Sequence, residues 1–428
     1  MFEALANREH PLTGGAGAPY RRRMRLGWVL ILVAGCRFDL PEGACTANDQ
    51  CKSGAGGRCE PNGFCSYADG SCPSGQRYGG NSGVCVGQTS GGDGGIDGPS
   101  GPFCPGATGG IVKPCFAMPP MGDVPLPGTI DTDTSTLCTT PMSGGNGYCV
   151  IAGNTINADD TVAVTGSKPL VLVAVTDITI VSGATLDMAS HNNPTLPRTG
   201  AGAGSPDCMA GTLPTTNGGG GGGAGGSFGG AGGNGGNGNA GAGAGGQPAA
   251  VQTPTTLRGG CPGQAGINGT FGVGGKGGGA VYLIANTSIT IAGAINASGE
   301  GGHPGITGSA GAGGGGSGGM IGLDAPTITN TGVVFANGAS GGEGSGLATA
   351  GNLGPEPTNA APSPAPASNS GIGGDGGTGS GTGALTGGNG QNGSGGGSPG
   401  GGGGGGGGLG VIKVYRGTLG GTRSPVPT

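Results

Sequence analysis

The sequence predicts an all-β protein. A short right-handed parallel β-helix with long glycine-rich loops spans residues 104–420, behind a small disulfide-rich module; a β-sandwich is the alternative. Three observations carry this. In Gly279–Gly299, Val281, Leu283, Ala285, Ile289, Ile291, Ile295 and Ala297 all fall on odd positions, the period of two of a strand. The pattern returns in Leu170–Ser190 and Met320–Gly338, more weakly in Cys149–Thr165, with a last strand in Leu409–Tyr415. Between these blocks glycine concentrates at 218–246, 272–279, 299–319 and 371–410, within a total of 117 Gly and 32 Pro in 428 residues.

The repeats align by role. Ile178-Thr179-Ile180 matches Ile289-Thr290-Ile291 and Ile328-Thr329, and Leu186 matches Ile295 and Val334. Each unit holds two or three short strands bent at Gly or small polar residues. One unit cannot bury its apolar face alone, whereas stacked units can. Parallel stacking also satisfies each coil's backbone groups from its neighbours.

In chain order, residues 1–20 show no periodicity. Arg21, Arg22, Arg23 and Arg25 then precede the apolar run Leu26–Gly35. Ten residues rise about 15 Å as helix, half of a bilayer core, so the run does not span a membrane. A basic segment before a short apolar one is a secretory signal, with Met1 or Met24 as its start. It ends in Leu32-Val33-Ala34-Gly35-Cys36. That pentapeptide resembles the lipobox of bacterial lipoproteins. The resemblance implies cleavage before Cys36, its diacylation, and a membrane partner held through N-terminal acyl chains. Each buried methylene contributes about 0.8 kcal/mol. Arg37 follows the anchor, and by resemblance to enteric sorting this implies the outer membrane, on its periplasmic or extracellular face.

Thirteen cysteines are present, and Cys36 leaves twelve. An export signal with an even remainder argues for disulfides in an oxidising compartment. After a linker at 36–44, residues 45–86 hold Cys45, Cys51, Cys59, Cys65, Cys72 and Cys85, spaced C-x5-C-x7-C-x5-C-x6-C-x12-C. Apolar content is too low for a core there, so three bridges are expected to carry the module. Fifteen pairings satisfy the count. Gly63-Phe64-Cys65-Ser66 and Cys72-Pro73-Ser74-Gly75 resemble small Cys-rich modules of myxobacterial surface proteins, which implies a surface location. Zinc needs close C-x2-C knuckles, and none occurs. A Gly-rich linker fills 87–103. Cys104 with Cys115 and Cys138 with Cys149 are expected to close locally. Cys208 and Cys261 bracket a glycine-rich insert and would pin its ends. Residues 421–428 read as a tail.

Gly225–Gly246 resembles the repeats of mycobacterial PE-PGRS surface proteins, without their PE domain. Such tracts either stay as flexible coil or pack as extended polyglycine helices, because residues without side chains allow close backbone approach. Collagen is excluded, since Gly does not fall at every third position. Residues 354–370, rich in Pro, Ala and Ser, read as an exposed excursion.

The chain carries a charge of −5, with five basic and two acidic residues before Cys36, so the remainder carries −8. This argues against a nucleic-acid partner. His191 and His303 are the only histidines after the anchor, and both read as exposed loop residues. No nucleophile elbow or phosphate loop is present. Asp131-Thr132-Asp133 and Asp159-Asp160 offer oxygens, and Gly91–Asp97 approaches a calcium nonapeptide but has Ile96 where Asp is needed. The strand carboxylates Asp177, Asp187 and Asp324 read as isolated, with no basic partner at coil spacing. The expectation is a non-enzymatic, cofactor-free, lipid-anchored envelope protein with a structural or adhesive role. Envelope polysaccharide and other surface proteins are its candidate partners. The alternative is a carbohydrate-binding or carbohydrate-cleaving β-helix.

Overall fold

The computed structural model describes residues 45, 47–52, 55–60, 64–70, 72, 74–78, 85–86, 102–192, 197–204, 206–239, 242–395 and 398–428. The signal segment, Cys36, and the linker through residue 101 lie outside them. The chain divides into two units, Met1–Gly98 and Pro99–Thr428.

In the first unit, β1 (Arg58–Cys59), β2 (Cys65–Ala68) and β3 (Gln76–Tyr78) form an antiparallel sheet. Its core is disulfide: Cys45–Cys59, Cys51–Cys65 and Cys72–Cys85. Buried Cys45, Cys51 and Cys65 pack together, and each is consumed by a bridge. Among the described residues the only helix is the single 3-10 turn Asn48–Gln50.

The second unit is built from tiers. The first supplies β4 (Asp123–Pro125) and β5 (Thr129–Asp131). The next three are β6 (Cys149–Gly153), β7 (Thr155–Ala158) and β8 (Val162–Thr165); β9 (Leu170–Ala174), β10 (Asp177–Ile180) and β11 (Thr185–Asp187); and, after the short Gly hairpin of β12 (Thr216–Asn217) and β13 (Gly219–Gly220), β14 (Ala280–Ala285), β15 (Ser288–Ile291) and β16 (Ala294–Asn296). Then come β17 (Met320–Asp324), β18 (Thr327–Asn330) and β19 (Val333–Phe335), and finally β20 (Val411–Arg416) and β21 (Thr422–Ser424). Corresponding strands pair in parallel into three sheets: β6-β9-β14-β17-β20, β4-β7-β10-β15-β18 and β5-β8-β11-β16-β19-β21. We call these sheets 1, 2 and 3.

Register follows the repeat. Ile178 pairs with Ile289 and Ile289 with Ile328; Leu186 pairs with Ile295 and Ile295 with Val334. Inward residues of all three sheets, among them Ile156, Leu172, Ile178, Leu186, Leu283 and Ile295, form one buried cluster. Burying each such side chain contributes about 1.5–3 kcal/mol. Sheets 2 and 3 alternate buried with partly exposed positions, whereas β9, β14 and β17 are buried throughout. The outer face of sheet 1 carries a second cluster of Val171, Val173, Tyr282 and Ile284, joined by Val112, Phe228 and Leu257. Two-sided burial explains the unbroken apolar run Leu170-Val171-Leu172-Val173.

One corner takes all the insertions. The connections from sheet 3 to sheet 1 hold residues 188–279, 297–319 and 336–410, while sheets 1 and 2 are joined by one or two residues per tier. Residues 219–228, 299–302, 311–319 and 400–410 of these glycine tracts are buried throughout and hydrogen-bonded to one another, so the coil alternative does not hold for them. Residues 311–318 show how. Gly311, Gly314 and Ser317 donate to the carbonyls of Ile267, Gln264 and Cys261; Ala312, Gly315 and Gly318 to those of Gly402, Gly405 and Gly408; Gly313 and Gly316 to those of His303 and Glu300, all at 2.8–3.0 Å. The carbonyls of 311–317 accept in the same rotation from three further segments, at 272–278, 223–226 and 339–342. A period of three with six neighbours is that of packed extended helices of the polyproline II type.

Close approach explains the composition. A Cβ on Gly313 would lie 1.9 Å from the Val273 carbonyl oxygen, and one on Gly404 would lie 1.9 Å from that of Gly313. None of the glycines in 311–318 or 400–408 has a left-handed φ, so glycine is needed there for space rather than for conformation. Left-handed φ falls at turns, as at Gly269 and Gly308. Buried serines fit where their hydroxyls bridge neighbours: the Ser345 Oγ accepts from the Ala310 N–H at 2.8 Å and the Ser380 Oγ from the Gly338 N–H at 3.0 Å.

Two boundaries differ from the sequence reading. Residues 421–428 are no tail, since Thr422–Ser424 is β21, pairing with β19; its polar residues lack the apolar alternation that marks the other strands. Residues 354–370 do not loop out: Gly354, Pro357, Ala360, Ser363 and Pro366 are buried at every third position against the bundle.

Gly313→Ala and Gly404→Ala are each expected to lower unfolding free energy by about 1–3 kcal/mol or more through overpacking. Gly420→Ala, with nothing within 4 Å of its Cβ, is expected to change it by less than about 0.5 kcal/mol. Denaturant unfolding of the three variants checks this, and an unperturbed Gly404→Ala would contradict the packing argument.

Candidate functional site

Asp187 ends β11 at the corner where the first long insertion leaves the sheets. Its Oδ1 accepts from the Ala189 N–H at 3.1 Å, turning the chain outward. His191 and Arg198 then exchange backbone hydrogen bonds at 2.9 and 3.0 Å, which closes a short loop. Arg198 folds back so that its guanidinium contacts Asp187 Oδ2. His191 Nε2 lies 3.3 Å from the same oxygen, and its Nδ1 lies 2.7 Å from Glu356 Oε2. Glu356 belongs to the third insertion, and its Oε1 accepts from the Asn192 N–H at 2.5 Å. The network continues through the Asn192 amide, 2.9 Å from His303 Nε2, to Glu300 at 3.1 Å.

Asp187, His191, Arg198 and Glu356 border a cleft of about 490 Å³ whose floor is the outward face of sheet 3, with Thr129, Ala163 and Thr165 on it. Positive and negative groups alternate around it. Burial alone would raise the Asp187 carboxyl, but the His191 bond and the charges of Arg198 and His191 outweigh it and hold the group low. Burial likewise opposes charge on His191, yet its hydrogen bonds to Asp187 and Glu356 lift it to about 9, so the imidazole is protonated at neutral pH. The cleft therefore presents fixed ion pairs. Arg198 Nε is buried with no hydrogen-bond partner among the described residues.

The sequence reading of His191 and His303 as exposed loop residues is corrected here, since both are partly buried and bonded to carboxylates. The reading of strand carboxylates without basic partners at coil spacing is corrected for two of the three: the partner of Asp187 comes from its own loop, that of Asp324 is its register neighbour on β20, and Asp177 accepts, among the described residues, only from the Ser288 hydroxyl. Asp187 has Arg198. Asp324, fully buried, has Arg416, and its Oδ2 also accepts from the Ala107 N–H at 2.7 Å and the Tyr282 hydroxyl at 3.2 Å. That second cluster pins the Cys104–Cys115 loop to sheet 1: a Cβ on Gly110 would meet the Tyr282 hydroxyl at 2.8 Å.

The remaining candidates are placed as follows. Cys104–Cys115, Cys138–Cys149 and Cys208–Cys261 are bonded, as their spacing suggested, and hold loops rather than line the cleft. The oxygens of Asp131 and Asp133 are taken by the chain: Asp131 accepts from Asp133 N and Thr134 Oγ1, and Asp133 from Ser167 N and Oγ. Asp93 and Asp97 lie outside the described residues. Sequence reasoning missed Arg198, Glu300 and Glu356, and Glu356 most completely, because 165 positions separate it from His191 and nothing local marks it.

His191→Gln is expected to cost about 1–2 kcal/mol at pH 6, where the bonds to two carboxylates are charge-assisted. A raised folded pKa adds stability that is complete below the ordinary value of 6.5 and lost as pH rises toward 9. Denaturation across pH 6–9.5 should show that decline in the parent protein and its absence in the variant. Comparison with models of protein families, with curated proteins and with solved structures finds no match, so the reading of this cleft rests on its own geometry.

Proposed function

We propose that this chain is an exported, non-enzymatic lipoprotein of the outer membrane, anchored through acylated Cys36, with a structural or adhesive role at the cell envelope. In this reading the three parallel sheets are the faces of a short right-handed β-helix, and the glycine bundle is a stiff body projecting from one corner. All-parallel pairing of the three sheets favours that architecture over a sandwich, whose sheets are antiparallel. Right-handed crossover is the sense that twisted parallel strands favour.

The observation that carries the reading is the cysteine chemistry. All twelve cysteines after Cys36 are paired in six disulfides, a state that belongs to an oxidising compartment, and Cys36 is the one left over. Among the described residues no helix is long and apolar enough to cross a membrane, and acyl chains would supply the attachment. A lattice of backbone hydrogen bonds with few large side chains suits a rigid spacer or display surface better than a catalyst.

A second reading, carbohydrate binding, is favoured by the cleft beside Asp187. Planar carboxylate and guanidinium groups on a rigid floor suit hydroxyl-rich ligands. Cleavage fits less well. A glycosidase needs two carboxyls facing an open space, one of them a poised acid, whereas here a protonated His191 bridges Asp187 and Glu356.

Cys36→Ala is expected to move the protein from the membrane pellet to the soluble exported fraction, and inhibition of lipoprotein signal processing should leave an uncleaved precursor. Membrane fractionation with immunodetection checks both, and a membrane-bound Cys36→Ala protein would defeat the anchor.

A further inference from the structure

We infer that the cleft lined by Asp187 and Arg198 binds an uncharged, hydroxyl-rich oligosaccharide lying across the tiers that carry Thr129, Ala163 and Asp187. This deepens the carbohydrate reading and rests on it.

The first argument is charge. Arg198 and His191 face Asp187 and Glu356, two groups of each sign in alternation. A uronate or phosphate would bring its anion against two carboxylates, and a polyamine would meet two cations. A sugar hydroxyl suits both, because one oxygen donates to a carboxylate while accepting from a guanidinium.

The second argument is an unmet donor. Arg198 Nε is buried and lacks a partner among the described residues, while its Nη2 is held by Asp187. A buried unsatisfied donor costs about 1–3 kcal/mol, so a turn of the guanidinium that brings Nε to a ligand oxygen in the cleft relieves a standing penalty. The third argument is the floor. Ala163 pairs in register with Thr129 on one side and Asp187 on the other, so the three form a straight row across successive tiers. Parallel strands lie about 4.8 Å apart, giving a row of about 10 Å, which suits a short oligosaccharide. Thr129 and Thr165 offer hydroxyls, and Ala163 and Pro197 offer apolar surface to sugar C–H groups.

The test uses the full-length, detergent-solubilised protein on an array of neutral and uronic-acid-containing oligosaccharides, followed by titration calorimetry with the best neutral ligand. Binding to neutral glycans, weakened at least tenfold by both Arg198→Gln and Thr165→Val, is the expected result. Thr165 lies outside the ion network, so Thr165→Val decides the matter if Arg198→Gln fails to fold. Preference for acidic glycans, or neutral binding that neither variant weakens, overturns this assignment and leaves the general carbohydrate reading standing. No binding to any glycan overturns both.

Discussion

Contact between backbones with no Cβ in the way is the constraint on which this molecule depends. In the bundle around residues 311–318, each peptide group donates to one neighbour and accepts from another, with the direction turning by a third of a revolution per residue. The carbonyl oxygen of one segment sits where a side chain would begin on the next. Glycine loses the most entropy on ordering, so an isolated glycine helix has no reason to form. The lattice offsets this only when many segments close on one another and every polar backbone group is satisfied at once.

The parallel sheets provide the alignment that lets this happen. Each insertion leaves from sheet 3 and returns to sheet 1, so its two ends begin one tier apart and in register. The Gly319 N–H bonds to the Ala297 carbonyl where strand gives way to bundle, and the same spacing continues outward. Side chains hold the sheets through an apolar interior; the bundle is held by main chain. Disulfides and buried ion pairs then fix the coverings, as Cys104–Cys115 and the Asp324–Arg416 pair do over sheet 1. The cleft follows from this plan, since a floor of paired strands gains walls only because the first and third insertions return over it.

How much was legible follows from the range of each interaction. Period two in 170–190, 281–297 and 320–336 is a local property, and it alone aligns Ile178, Ile289 and Ile328, which pair in register. Cysteine parity and short spacings gave Cys104–Cys115 and Cys138–Cys149, each 11 residues apart, while Cys208–Cys261, 53 apart, was given by its bracketing of the glycine insert. Among the six cysteines of the first module, the spacing admitted fifteen pairings, and only packing selects Cys45–Cys59, Cys51–Cys65 and Cys72–Cys85.

Sequence by itself determined the strands of the repeated blocks, their equivalence and the abundance of glycine, because these are set by nearest neighbours and by side-chain alternation. Only the tertiary structure decided that the glycine tracts are a packed body, that Thr422–Ser424 completes a sheet, and that Glu356 meets His191. The physical reason is common to all three. Each depends on which backbone or carboxylate lies opposite across tens of residues of intervening chain, and a featureless glycine run carries no local mark of the neighbour it will bond.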